Sequence, residues 1–198
     1  MKDLDAMLVT RRTIVAAAPL APLVTINAAP AEIPTLSPSQ MRLLNAVIDR
    51  LIPADELGPG ARECGVAVYI DRSLAGPLAR ETAAFTAALD ATEIAARQQH
   101  GAPFADLDDA AKDKLLTAME QNRVSGFTPD SRTFFNRIRQ LALEGMFGDP
   151  FYGGNRAFAG WDLIRYPGPR LAAAPADQNI REPIKPLRTS AHGARHGD

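Results

Sequence analysis

The fold class is set by residues 37–53, which read SPSQMRLLNAVIDRLIP. Ser37 is predicted to cap a helix, with Pro38 in the first helical position and Gln40 placed to complete a capping box. The apolar residues that follow recur at helical spacing: Met41, Leu44, Val47, Ile48 and Leu51. Because proline cannot continue a helix, we expect this one to end at Pro53.

Four further segments carry helical signals. A short buried helix is indicated between Val66 and Leu74, and a longer one between Leu78 and Gln99. Another helix follows a cap at Asp108, and the last begins near Ser131 and ends near Gly148. No segment shows the sustained alternation and β-branched enrichment of a strand. We therefore predict an all-α fold: a single helical domain of about five helices, spanning residues 32–170.

The character of the chain changes at Gly148. Residues 149–170 are rich in glycine and aromatic residues and are predicted to be irregular. Tyr152, Tyr166 and the only tryptophan, Trp161, could close one end of the helical core, or they could form a partner surface, and both can hold at once. Residues 171–198 have few large apolar side chains, so this tail should be extended or disordered when alone and could wrap a partner.

The first 31 residues are predicted to be a twin-arginine signal peptide. Arg11 and Arg12 precede a mild apolar run, and Ala29-Pro30-Ala31 fits a small-residue cleavage site. The run is too short and too often broken by proline to be a good membrane span. Such a leader predicts export of a folded protein to the periplasm. The alternative is a cytoplasmic amphipathic N-terminus that happens to contain two arginines.

Composition excludes several classes of function. The chain of 198 residues has a formal net charge of −1, which offers no electrostatic footprint for nucleic acid. Cys64 is the only cysteine, so an intramolecular disulfide, a thiolate-held iron–sulfur cluster and a c-type haem are all excluded. Cys64 is expected to be buried, with an intersubunit disulfide as the alternative.

No catalytic, cofactor-binding or metal-binding residue is predicted in this chain. The histidines are His100, which follows a helix C-terminus, and His192 and His196, which lie in the polar tail. None is placed to serve a serine–histidine–aspartate relay. Helix capping and solvation account for the acidic residues from Asp106 to Asp109, and Gly58-Pro59-Gly60 lacks the context of a phosphate loop.

The chain resembles the gluconate 2-dehydrogenase subunit 3 family, the small subunits of periplasmic, membrane-associated FAD-dependent sugar and sugar-acid dehydrogenases. The resemblance begins with the twin-arginine leader and continues through LSP at residues 36–38, LIPAD at 51–55, GPGA at 58–61 and GVAVYID at 65–71. Its most specific parts are FGDPFYGGN at residues 147–155 and GWDLI at 160–164, followed by YPGPR at 166–170.

The resemblance implies a non-catalytic subunit. FAD is expected in a large partner subunit that oxidises the sugar, and haem c in a possible third subunit, a multihaem cytochrome that anchors the complex to the inner membrane. The small subunit would supply the export signal for the large one and stabilise it. The other readings are a free-standing periplasmic binding domain and, less well supported, an enzyme acting alone.

We predict partner contacts in the glycine- and aromatic-rich part of the chain. The residues are Tyr152, Gly153, Gly154, Asn155, Trp161, Tyr166, Pro167 and Gly168.

Overall fold

The structure is a computed structural model that describes residues 34–170, 172, 175 and 184–193. The predicted signal peptide, with Arg11, Arg12, Ala29 and Ala31, lies outside the described residues, as does His196. The described residues all belong to one compact unit, Glu32–Asp198.

Six α-helices make up the described part of the chain, and it contains no strand. They are α1 (Pro38–Leu51), α2 (Val66–Ala75), α3 (Thr82–His100), α4 (Asp109–Glu120), α5 (Ser131–Phe147) and the short α6 (Ala159–Leu163). The prediction of an all-α fold with about five helices and an irregular C-terminal segment is therefore confirmed. None of the described helices is both long enough and apolar enough to cross a membrane.

Local side-chain caps explain where α1, α4 and α5 begin. The Ser37 hydroxyl accepts a hydrogen bond from the Gln40 backbone N–H, and the Gln40 side chain accepts one from the Ser37 N–H, which completes the predicted capping box. Asp108 caps α4 through the Ala111 N–H at 2.8 Å, and Asp130 caps α5 through the Thr133 N–H at 2.9 Å.

Helix α3 begins at Thr82 and not at Leu78, where the periodicity had placed it. The Leu78 N–H donates to the Ser73 carbonyl at 2.8 Å, which ties Leu78 to the end of α2. A 3-10 turn, Ala79–Glu81, then leads into the helix. The apolar stripe predicted for α3 is buried at Phe85 and Leu89, and it continues through Thr92 and Ala96.

The core is built around α5, which contacts α1, α2, α3 and α4. Ile138, Leu141 and Met146 on α5 are fully buried. Helix α2 packs closely on α5 at Gly145, where an added Cβ would lie 2.8 Å from Tyr69 Cδ1. Helix α6 also contacts α5.

Ion pairs join α1 to the α4 region. Arg50 contacts Asp109 at 2.9 Å and Asp113 at 2.7 Å, and Arg42 pairs with Asp106. The hydrogen bond from Arg50 lowers the pKa of Asp113. Asp106 and Asp109 therefore form ion pairs with α1, while Asp108 caps α4, so capping accounts for part of this acidic cluster, as the sequence predicted.

Replacing a buried side chain of α5 should destabilise the fold much more than replacing an exposed one. Ile138→Ala should lower the free energy of unfolding by about 2–5 kcal/mol, because it removes fully buried methylene groups and leaves a cavity. Leu143→Ala on the same helix is the control, with a change within about 0.5 kcal/mol, since Leu143 is 47% exposed. Urea unfolding followed by circular dichroism measures both, and equal losses would contradict the assignment of the core face.

Candidate functional site

The candidate site is the C-terminal segment, residues 149–170, which folds back over the carboxyl end of α5. It starts at Asp149, whose side chain accepts from the Phe151 N–H at 2.9 Å and caps a 3-10 turn, Pro150–Tyr152. A second 3-10 turn, Arg156–Phe158, leads into α6. Short turns of this kind suit a segment whose glycines and prolines prevent a long helix.

Asn155 holds the segment in place from inside. Its side chain is fully buried, and its Nδ2 donates to the Gly148 carbonyl at 2.8 Å. Its Oδ1 accepts from the Gly160 N–H at 2.8 Å and from the Trp161 N–H at 3.4 Å. The backbone of Asn155 is left-handed, with φ of 46°, a conformation that asparagine tolerates better than most residues. One amide group therefore links the end of α5 to the start of α6.

Trp161 makes the second link to α5. Its indole Nε1 donates to the Phe147 carbonyl at 2.9 Å, and the residue is only 6% exposed. Its ring lies 5.4 Å from the Phe158 ring and 4.8 Å from the Tyr166 ring, measured between centroids. The hydrogen bond satisfies the indole N–H in a buried position, so Trp161 packs at the carboxyl end of α5.

Two glycines allow the backbones to approach. A Cβ at Gly154 would overlap the Gly145 carbonyl oxygen, and a Cβ at Gly160 would overlap the Met146 carbonyl oxygen. Only glycine fits at such close contacts. The specific strings that carried the family resemblance are thus explained, in large part, by packing against α5.

The predicted partner-contact residues divide into an inner and an outer set. Gly154, Asn155, Trp161 and Gly168 are buried within this chain, and Gly153 and Pro167 are half-buried. Tyr152 and Tyr166 remain 45% and 39% exposed. Of the predicted residues, the two tyrosines are the ones that present a large exposed surface.

Sequence reasoning missed an exposed apolar region beside α6. Leu57 is 79% exposed and Ile164 is 55% exposed. A shallow groove of about 580 Å³ runs between the loop of residues 52–59 and α6, with Leu57, Leu163 and Arg165 among its lining residues. The available signal was Leu57 itself, an isolated large apolar residue in a loop of acidic residues, glycine and proline.

The described part of the tail, residues 184–193, lies along the C-terminal segment, and we call it the tail strap. The Leu187 N–H donates to the Pro167 carbonyl at 2.9 Å, and Arg188 pairs with Asp162 at 2.8 Å. Further along, the Ala191 N–H donates to Asp149 Oδ2 at 2.8 Å. The strap contains no helix or strand, so these side-chain and backbone contacts are what fix it to the domain.

The end of the strap packs on aromatic rings. His192 lies 5.1 Å from Phe151 and 5.4 Å from Tyr152, centroid to centroid, and its Nε2 is 3.2 Å from the Tyr152 hydroxyl. Burial acts to raise the pKa of Asp149, but hydrogen bonds from Ser190 and from backbone N–H groups outweigh it, so the pKa is lowered. Asp149 is therefore ionised at neutral pH and holds the strap as an acceptor.

The described residues contain no group of three or more histidine, cysteine or acidic side chains that could hold a metal ion. Cys64 is 1% exposed, which confirms the expected burial, and burial raises the pKa of its thiol. A sulfur in this position does not reach the surface, so the conformation described does not support an intersubunit disulfide at Cys64.

A family model described as "Gluconate 2-dehydrogenase subunit 3" matches residues 38–168, from the first residue of α1 to near the end of the C-terminal segment. No curated protein and no solved structure gives a significant match.

Removing the Asn155 amide should release the C-terminal segment. Asn155→Ala should lower the free energy of unfolding by about 3 kcal/mol, because it leaves the Gly148 carbonyl and the Gly160 N–H without their buried partner. Asn136→Ala, at an exposed position on α5, is the control and should change stability by about 0.5 kcal/mol or less. Urea unfolding measures both, and an Asn155→Ala protein as stable as the control would contradict the role given to Asn155.

Proposed function

Since this chain belongs to the gluconate 2-dehydrogenase subunit 3 family, we propose that it is the non-catalytic small subunit of a membrane-associated FAD-dependent sugar or sugar-acid dehydrogenase. In this role it supplies the twin-arginine export signal and stabilises the catalytic subunit. The observation that carries the proposal is the family match, which spans the helical body and the C-terminal segment together.

The partners follow from the same proposal. FAD belongs to the large subunit, and a multihaem cytochrome c subunit, where present, passes electrons on and attaches the complex to the inner membrane. The proposal locates the complex in the periplasm. A small subunit in such an assembly needs a folded body and exposed side chains that can contact a partner. The described residues include a hydrophobic core and several exposed large apolar side chains, which support the proposal.

The proposal also explains why a chain without a predicted cofactor site carries a predicted signal for folded export. The twin-arginine route is useful when a cofactor must be inserted before export. If the cofactor lies in the large subunit, then Arg11 and Arg12 on this chain serve both proteins, and the two cross the membrane as one complex.

A second candidate is a free-standing periplasmic binding domain. It is favoured by the burial of Asn155 and Trp161 within the chain, because these side chains do not need a partner to be buried. Native size distinguishes the two functions. We expect the protein in periplasmic extract to elute with a flavoprotein; elution near its own mass, at most 21.3 kDa, would favour the free-standing domain.

Changing the twin-arginine pair tests the escort role. With Arg11→Lys and Arg12→Lys combined, we expect the FAD-containing subunit to remain in the cytoplasm, since it would lose the signal that carries it. Immunoblots of that subunit in periplasmic and cytoplasmic fractions measure the outcome.

The matched control combines Arg132→Lys and Arg139→Lys, two exposed positions on α5. This control should leave export unchanged. Normal export of the FAD-containing subunit in the leader double mutant would rule out the escort role.

A further inference from the structure

Exposed apolar side chains are concentrated in the C-terminal segment and the tail strap. The described residues include eight large apolar side chains that are exposed, and five of them lie in these two stretches: Tyr152, Ile164, Tyr166, Ile184 and Leu187. The two stretches make up about a fifth of the described residues. A concentration of exposed apolar area on one part of a surface is typical of an interaction site.

Charge is divided between the same parts of the chain. Residues 34–148 contain 12 basic and 15 acidic residues, whereas residues 149–170 and 184–193 together contain five basic and two acidic ones. The helical body is therefore net negative, and the C-terminal segment with its strap is net positive.

The two acidic groups of this positive region are already engaged. Asp162 pairs with Arg188, and Asp149 accepts from the N–H groups of Phe151 and Ala191. Within the described residues, no carboxylate pairs with the side chain of Arg165 or Lys185. Both side chains are exposed, so their positive charge is available to another molecule.

The strap is held in one position by a tight backbone contact. A Cβ at Gly168 would overlap the Leu187 carbonyl oxygen, and Gly168 has a φ of +86°. The Leu187 N–H donates to the neighbouring Pro167 carbonyl. These contacts therefore fix Leu187 against the backbone of Pro167 and Gly168, which joins the strap to the C-terminal segment.

We propose that the C-terminal segment and the tail strap together form a docking surface, apolar and cationic, for an acidic and apolar patch on the FAD-containing subunit. This inference rests on the proposed function and adds to it the surface, the part played by the tail and the chemistry of the partner. The exposed tyrosines and aliphatic side chains supply contact area, and Arg165 and Lys185 supply charge.

A protein partner fits this surface better than a membrane does. The strap is fixed by hydrogen bonds, an ion pair and a glycine contact, which gives the surface a defined shape before binding. Preorganised shape favours a protein of complementary shape. A lipid surface needs only apolar area and positive charge, without a fixed backbone.

Charge reversal tests the electrostatic part of the surface. The full chain carrying Arg165→Glu and Lys185→Glu should bind the purified FAD-containing subunit about tenfold more weakly at low salt, and its affinity should depend less on salt. The control combines Lys114→Glu and Arg139→Glu, at exposed positions on α4 and α5, and should bind as the unmodified chain does. Equal affinities for the two double variants would overturn the inference.

Apolar substitutions and displacement of the strap complete the test. Leu187→Ser should weaken binding, whereas Leu143→Ser on α5 should not. Gly168→Ala should weaken binding by pushing the strap away, whereas Gly126→Ala, outside the proposed surface, should not, because Gly126 has a similar φ of +93° but no heavy atom within 4 Å of its Cβ position. Circular dichroism should show that all four single variants are folded. If Gly168→Ala bound the FAD-containing subunit normally, the tail strap would not be part of the interface and the inference would be overturned.

The remaining outcomes separate this inference from the proposed function. If the unmodified chain binds the FAD-containing subunit and the surface variants bind equally well, the docking surface is wrong and the proposed function stands. If the unmodified chain does not bind that subunit at all, both fail. If the chain instead binds phosphatidylglycerol vesicles and only this binding is lost in the charge-reversal variant, the surface is a membrane contact and the inference is overturned.

Discussion

The carboxyl end of α5 is the constraint on which the rest of the molecule depends. Backbone carbonyls at the end of a helix lack partners within the helix. Here the Phe147 carbonyl accepts from the Trp161 indole and the Gly148 carbonyl accepts from the Asn155 amide. These two bonds bring the C-terminal segment onto α5, and the segment in turn supports the tail strap. Helix α5, the C-terminal segment and the tail strap are thus connected by a series of direct contacts.

Much of the helical body could be predicted because its signals are local. The caps at Ser37 and Asp108 and the apolar stripes act over a few residues, so the sequence shows them directly. The start of α3 was misplaced because Leu78 bonds back to Ser73 in α2, a contact that periodicity does not reveal. Irregular segments lack any periodicity, so the inward direction of Asn155 could not be inferred before the fold was known.

The candidate site contains residues that pack inward and residues that remain exposed, and the sequence alone does not distinguish them. The predicted contact residues contain glycines and a tryptophan that pack inward, and tyrosines that remain exposed. In the sequence of residues 149–170, inward-packing and exposed residues cannot be told apart by residue type or spacing. The exposed Leu57 and the strap residue Leu187 were not identified, because their surroundings are formed by residues distant in the chain. The family resemblance therefore pointed to this segment but could not tell which of its residues pack inward and which remain exposed.

The order of assembly within the chain follows from the way the segment is attached. The groups that receive Asn155 and Trp161 are carbonyls at the end of a helix, and they are positioned only once α5 has formed. The strap is positioned only once the segment has docked, because Leu187 and Arg188 bond to Pro167 and Asp162. The outer surface therefore exists only when α5, the C-terminal segment and the tail strap have all taken up their folded positions. A molecule that binds this surface would therefore bind only chains in which these three parts are folded together.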